Sequence, residues 1–464
     1  MIRMTLDEIA AVTGGRAVNA GPAATVTGPV EYDSRALLPG GLFVAFEGEK
    51  VDGHDYAATA VAAGAAGVLG SRDTGQPGVV AEDPLAALAK LAHVVAGRLP
   101  ELTVVGLTGS SGKTTTKDYV GQLLTRLGPT VAPAGSLNNE LGFPYTVLKA
   151  TPETRFLVLE MGARGIGHIA HLAGIAAPRI GVVLNVGAAH LGEFGSVEGT
   201  ARAKGELVES LPADGLAVLN ADDPLVSAMA SRTRARVVLV GESERAGVRA
   251  ADVTLDRRGR AAYTLVTPAG SAPVRLAVTG RHQVGNTLAA AAVALEAGMA
   301  VDELAAALGE VGIVSSRRMD VFDRPDGVTV IDDSYNANPS STSAALRALA
   351  ALGEGRRTIA VLGYMAELGE FETSGHRDVG RLAAELGVDR LVAVAQAAPV
   401  LDGAASVPEW KGEPVAAADQ AAAVAAVTGD LRPGDVVLVK GSRYRTWEVA
   451  DALRAETAAE EVGP

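Results

Sequence analysis

The chain has no cysteine among its 464 residues. That removes disulfides, thiolate metal sites and a cysteine nucleophile together, so any metal must be held by oxygen or imidazole. It also lacks an uninterrupted apolar run of about eighteen residues, the length a membrane-spanning helix needs. Its opening, "MIRMTLDEIAAVTGG", carries acidic groups where a secretion signal would be apolar. The expected location is cytoplasmic, with no membrane insertion. A surplus of positive charge is missing too: 41 Lys and Arg stand against 54 Asp and Glu, for a formal net charge of -13. Nonspecific nucleic-acid binding rests on cationic side chains meeting phosphates, so a nucleic-acid partner is not expected. A small phosphorylated ligand stays open, because backbone N–H groups and a metal ion can hold phosphate locally.

What is present is a chain biased to Ala, Val, Leu and Gly, 48% hydrophobic and 20% charged, a composition that buries ordinary cores. At roughly 150 residues per domain, its length predicts about three domains. Residues 1–98 mix short strand-like runs ("LFVAFEG", "AAGVLGS", "PGVVAED") with helical stretches over 55–64 and 84–98, and predict a small α/β domain. Pro100 then interrupts the helical pattern before a β-branched run. Across 99–314, strand candidates at 102–108, 155–161, 179–186 and 215–220 alternate with helical segments, the rhythm of a largely parallel sheet. Across 315–464 the rhythm returns with "GVTVIDD", "RTIAVLG", "DRLVAVA" and "DVVLVKGS". The stretch "AAADQAAAVAAVTG" reads as a small-residue helix and the tail "AETAAEEVGP" as a fraying end. The expected fold is α/β in three parts: a small N-terminal domain, a central doubly wound P-loop-type ATPase domain, and a C-terminal Rossmann-like domain.

The segment "VGLTGSSGKTTTKDYV" resembles a phosphate-binding loop yet misses the usual G-x-x-x-x-G-K-[ST] pattern, since position 107 is a leucine. Its chemistry still suits phosphate. Gly109 and Gly112 permit a tight backbone nest; Thr108, Ser110, Ser111 and Thr115 add hydroxyls; Lys113 counters phosphate charge; Thr114 can meet Mg2+ at a helix N-terminus. Ligands of open parallel sheets gather beyond the C-terminal ends of the strands. There, the second candidate strand ends on Glu160, the third runs into "GAAHLGEF" with His190, and the fourth into "NADDP". Oxygen and imidazole so placed can hold a divalent cation beside phosphate. Singly, each has a plainer reading: a small-residue turn, a surface strand end, a structural histidine. Lys204 in "ARAKGELVES" reads as a solvated helix lysine, and nothing in the pattern selects it.

The motifs "DSRALLPGGLFVAFEGEKVDGHDY", "TGSSGKT", "SLNNELGFP", "LEMGARGIGHI", "NVGAAHLGEFGS", "AKGE", "NADDP", "DDSYNANP", "AELGE" and "KGSR" follow one another over nearly the whole chain. In this order they resemble the Mur ligases, which build the peptide stem of the bacterial cell-wall precursor and use a shifted T-G-x-x-G-K-[ST] loop. The resemblance implies an enzyme that phosphorylates a peptide carboxylate with ATP, then lets an amine attack the acyl phosphate. It implies UDP-N-acetylmuramoyl-tripeptide and D-alanyl-D-alanine as substrates, two Mg2+ ions, and a monomer. The first domain would bind the UDP-substrate, the second ATP, and the third the amine while closing on ATP.

Carried over by position, Lys113 would contact the terminal phosphates and Thr114 the first Mg2+. Glu160 and His190 resemble further metal ligands. Lys204 matches a lysine that many family members carbamylate, turning a cation into an oxygen ligand. Asn286 resembles an adenine contact; Arg318, Asp333, Tyr335 and Asn336 resemble residues brought onto the nucleotide from the third domain. Ser34 and Arg35 resemble the grip on the uridine diphosphate end, and Asn138 and Asn139 resemble substrate-facing loop residues. Three positions depart from the family pattern: Tyr364 where a charged residue is common, Thr342 where methionine is usual, and Gln283 in place of asparagine. Those in the third domain bear on amine selection. A related ligase joining another amine, and a nucleotide-binding regulatory protein that makes no bond, therefore remain alternatives at this point.

Overall fold

The computed structural model describes residues 1–21, 24–187, 194–442 and 445–460. Near the N-terminus, a five-stranded sheet runs in the order Arg16–Val18, Gly78–Val80, Gly67–Gly70, Leu42–Val44, Val30–Glu31. It is parallel except for its Arg16–Val18 edge. The helix Pro84–Gly97 follows because Asp83 accepts the N–H groups of Leu85 and Ala86 while Pro84 occupies the first turn, where no donor is needed. Its Leu88, Leu91 and Val95 share one core with Leu172 and Ile175 from beyond the next strand, so the first sheet docks on the second through buried apolar surface.

The second sheet has nine strands. Thr103–Thr108 lies between Phe156–Glu160 and Ile180–Val183, all parallel, with Leu107 opposite both Glu160 and Val182. This register brings the loop after Thr108, the carboxylate of Glu160 and the segment after Val183 to one end of the sheet. Apart from the half-buried Thr103 these strands are buried, which is why they read as unbroken apolar runs. The far edge departs from the expected parallel pattern: Val248–Leu255, Arg260–Thr267 and Gly270–Thr279 pair antiparallel. Burial alternates along Arg260–Thr267, so one face meets water and no apolar run marks the strand.

The third sheet runs Asp320–Asp323, Thr329–Asp333, Val436–Lys440, Thr358–Leu362, Arg390–Val394, Glu413–Ala417, parallel except for its first strand. The alanine-rich stretch expected to be one helix is divided: Ala416 and Ala417 close an edge strand, and the helix is Gln420–Thr428, capped by Asp419. Of the tail expected to fray, residues 455–460 continue the helix Trp447–Glu460, and residues 461–464 lie outside the described residues.

Residues 312–315, which lead into the third sheet, are held by the helix Lys113–Thr125. Gln122 exchanges two hydrogen bonds with the backbone of Gly312 at 3.0 Å, and the Asp118 carboxylate accepts the Ser315 N–H at 2.9 Å. Lys117, in turn, forms a buried ion pair with Asp118 at 2.9 Å and donates to Gly135 O at 2.9 Å. The helix behind the phosphate loop therefore also anchors the entry to the third sheet.

Candidate active site

Strand Thr103–Thr108 turns through Gly109, Ser110, Ser111 and Gly112 into helix Lys113–Thr125. Gly112 has φ 79°, and a Cβ there would come within 2.6 Å of Asn286 Oδ1, so both the turn and the approach of Asn286 require glycine. Asn185 shapes the loop from the neighbouring strand end: its backbone oxygen accepts Ser110 N–H at 3.1 Å and its Oδ1 accepts Ser111 N–H at 2.9 Å. Thr108 faces inward instead, with its hydroxyl on Met161 O at 2.9 Å.

Glu160 lies at the centre of this strand end, 3% exposed. Its carboxylate accepts the Thr114 hydroxyl at 2.8 Å, the Ser136 hydroxyl at 2.8 Å and the Asn138 amide at 2.7 Å. Asn139 stands beside them and accepts Gly142 N–H at 2.8 Å, fixing the start of helix Gly142–Val147. Lys113 folds back onto Gly109 O at 2.8 Å; burial lowers its pKa, Glu160 opposes that shift and Arg318 adds to it. Lys204, from helix Val197–Glu209, is 2% exposed. Burial, and secondarily the neighbouring Lys113, hold its pKa well below the ordinary lysine value.

The third sheet completes the site from the opposite side. Asp333 ends its strand paired with Lys440 at 2.5 Å and accepts Met319 N–H at 3.1 Å. Lys440 also donates to Asn336 O at 2.7 Å. The Arg318 guanidinium lies 4.1 Å from the Tyr335 ring centroid, and its buried Nε has no hydrogen-bond partner among the described residues. Asn338 caps helix Pro339–Leu352 and reaches across to Ser110 O at 3.4 Å, a direct contact between the third sheet and the phosphate loop.

These walls enclose a cavity of about 1020 Å3. It gathers the loop residues Ser110 to Thr115, Asn138, Asn139, Glu160, Lys204, Asn286, Arg318, Asp333, Tyr335 and Asn336. His190 lies outside the described residues. Ser34 and Arg35 are not in the cavity wall, and the Arg35 side chain is 88% exposed, bonded to Asp33 at 2.7 Å. Of the three departures from the family pattern, Gln283 lines the cavity and accepts the Asn286 amide at 2.9 Å, whereas Tyr364 and Thr342 lie outside its wall. Sequence reasoning missed Ser136, Asn185, His282, Asn338 and Lys440. Asn185 and Lys440 fall at C-terminal strand ends, the signal that singled out Glu160.

The donor set at Glu160 fits Mg2+, which takes one or two carboxylates and completes its shell with phosphate oxygens and water. Here one carboxylate is flanked by the hydroxyls of Thr114 and Ser136. Among the described residues no group of three or more His, Cys, Asp or Glu stands together. Chemically, the arrangement suits phosphoryl transfer: a backbone nest, buried cations and a cation-binding carboxylate face one enclosed space.

Comparison with known proteins agrees with this geometry. Residues 28–99 match the Mur ligase family catalytic domain, residues 107–294 the Mur ligase middle domain, and residues 317–443 the Mur ligase glutamate ligase domain. A relative from Mycobacterium tuberculosis (strain ATCC 25618 / H37Rv), named UDP-N-acetylmuramoyl-tripeptide--D-alanyl-D-alanine ligase, is 50% identical over 100% of both chains. One of the same name from Escherichia coli (strain K12) is 36% identical over 97% of both. Among solved structures, MurF from Acinetobacter baumannii superposes with TM-score 0.86 at 32% identity, covering 97% of this chain and 99% of its own. MurF ligase from Thermotoga maritima, in complex with ADP, superposes with TM-score 0.79 at 30% identity, covering 94% and 99%.

Proposed function

The chain belongs to the Mur ligase family, and from that premise we propose that it joins D-alanyl-D-alanine to UDP-N-acetylmuramoyl-tripeptide with ATP, in peptidoglycan precursor synthesis. The observation that carries the reading is the convergence of the phosphate loop, Glu160 and Lys204 with Arg318, Asp333 and Tyr335 in one cavity between two sheets. A free carboxylate is a poor acyl donor, so its conversion to an acyl phosphate is what ATP contributes. The amine of the dipeptide then displaces phosphate.

Each residue has a place in that scheme. The nest at residues 109–112 receives phosphate oxygens on backbone N–H groups, and Lys113 turns from Gly109 O toward the terminal phosphates. Thr114 and Glu160 would hold one Mg2+, which when bound neutralises charge developing on the phosphoryl group. Asn286 and Gln283 wall the base side, and Arg318, stacked on Tyr335, approaches with an unused Nε donor. Asn138 and Asn139, in the cavity wall, would face the peptide carboxylate. As a cation Lys204 cannot bind a metal; as a neutral amine it can add carbon dioxide, and the carbamate would supply oxygen for a second ion. Ser34 and Arg35, outside this cavity, are assigned to the uridine diphosphate end of a long substrate. Closure of the third domain would exclude water from the acyl phosphate.

No helix of the described residues is long and apolar enough to cross a membrane. A cytoplasmic, monomeric enzyme is the state proposed. The test is a substrate panel in which UDP-muramoyl peptides are offered D-Ala-D-Ala, D-Ala, L-Ala and other amines. The reading expects UDP-tripeptide with D-Ala-D-Ala to give the highest kcat/KM. A clear preference for another amine would assign the chain to a different branch of the family.

A further inference from the structure

On the third-sheet side, Ser340, Ser341, Ala344, Ala366, Glu367 and Ser442 form a part of the cavity wall apart from the residues assigned to the nucleotide. Under the proposed function, on which this inference rests, this wall faces the incoming dipeptide: a carboxylate and hydroxyls suit its amine end. Ala366 and Glu367 follow strand Thr358–Leu362, in a segment that no regular structure supports. Glu367 has φ 66°, in the left-handed region that non-glycine residues seldom occupy, so something must hold it there.

Behind this wall lies His376, buried on helix Glu372–Glu385. Its Nδ1 is 2.7 Å from Glu372 O, which can only accept, so Nδ1 carries the proton. Its Nε2 is then the acceptor for Met365 N–H at 3.0 Å. One imidazole thus ties the segment to a helix by a bond that exists in only one tautomer. Tyr364 supports it, stacking on the ring at 5.3 Å between centroids and donating to Glu372 Oε2 at 2.7 Å. Ser442 adds a second tie by donating to Tyr364 O at 2.8 Å, and Thr342 donates to Met365 Sδ at 3.6 Å. Tyr364 and Thr342, two positions where this chain departs from the family pattern, therefore meet at the same support.

We propose that His376 is a positioning residue for the acceptor dipeptide, fixing the residue 364–367 segment through Met365 N–H, with Tyr364 bracing the imidazole. It touches no substrate. Its effect falls on the amine site and spares the phosphate loop on the opposite wall.

The test contrasts two substitutions in the full chain. In H376Q the amide oxygen can take the place of Nε2 and accept Met365 N–H; in H376N it is too short to do so. H376N should raise the KM for D-alanyl-D-alanine about tenfold or more, with the KM values for ATP and UDP-tripeptide within about twofold of wild type. H376Q should restore the dipeptide KM to within about threefold of wild type. Equal values for the two variants, or parallel rises in all three KM values, would overturn the assignment. Should H376N lack a cooperative thermal transition, Y364F provides the test, with an expected selective rise of about threefold in dipeptide KM and an unchanged one counting against the proposal. The wild type is the control: failure to use the dipeptide overturns the parent function, whereas normal turnover with indifferent variants overturns only the role of His376.

Discussion

The Thr114 hydroxyl donates to the Glu160 carboxylate across 2.8 Å, joining a helix N-terminus to the end of the adjacent strand. Both groups are buried, and Glu160 accepts two further donors on its other oxygen. In Glu160→Gln, shape and an acceptor persist but the charge is lost. Ligation is expected to fall by about 100-fold or more, consistent with removal of one electrostatic element of a phosphoryl-transfer site. Glu160→Ala leaves the donors of Thr114, Ser136 and Asn138 unmatched and should also cost about 1–3 kcal/mol of stability. Steady-state rates and denaturant melts on the two variants separate charge from structure; wild-type rates in Glu160→Gln would remove the carboxylate from the proposed role.

Among the described residues the Lys113 side chain hydrogen-bonds only to Gly109 O, within the loop it belongs to, so its removal should leave the sheet intact. Lys113→Ala is expected to lower kcat by about 100-fold or more while the thermal transition stays cooperative. A well-folded variant with normal turnover would show that the lysine does not meet the transferring phosphoryl group.

For Lys204, burial has an assignable consequence. Lys204→Ala should lose activity, and short-chain carboxylic acids should restore part of it by placing a carboxylate where the carbamate would stand. Absence of rescue would count against the carbamate and leave the ligase reading in place.

The Lys204 prediction also marks how far the sequence could be read. Strands at 103–108, 156–160, 180–183 and 216–220 were legible because strands buried on both faces are continuous runs of Val, Leu and Ile. Glu160 was legible for the same reason, since a carboxylate closing such a run is conspicuous. The edge strands between Val248 and Thr279 were not, because their burial alternates with exposure. Lys204 could be selected only through family resemblance: a lysine on an amphipathic helix looks solvated, and only tertiary packing buries it. Lys440 and Asn185 could have been found by applying the strand-end rule to every strand. His376 could not, because its function lies in a tautomer and a backbone partner that no motif specifies.

Burial holds the His376 imidazole below its ordinary pKa of 6.5, against the opposing influence of Glu372; Tyr364 is the other ionisable side chain shown against its ring. A depressed histidine pKa means that the unfolded chain takes up a proton first as pH falls. The stability contributed by neutral His376 is therefore present above pH 6.5 and lost as pH drops below it. His282, half-buried with its pKa likewise lowered by desolvation, acts in the same direction. Thermal melts of wild type and H376Q between about pH 7.5 and 5 should converge toward the acid end, since only the wild type loses the His376 contribution. A constant difference across that window would place the imidazole outside the linkage.

Nucleotide contacts are assigned to both sides of the cavity, and Asn338 already reaches Ser110 across it. Small-angle scattering should show a smaller radius with an ATP analogue and the UDP-substrate together than with neither. An unchanged radius would contradict closure of the third domain on the nucleotide.

Phosphate release from the purified chain tests the account most directly, measured with ATP and UDP-N-acetylmuramoyl-tripeptide, with and without D-alanyl-D-alanine. Steady release is expected only when both donor and dipeptide are present, with one ligated product formed for each phosphate. Release indifferent to donor and dipeptide alike would contradict it.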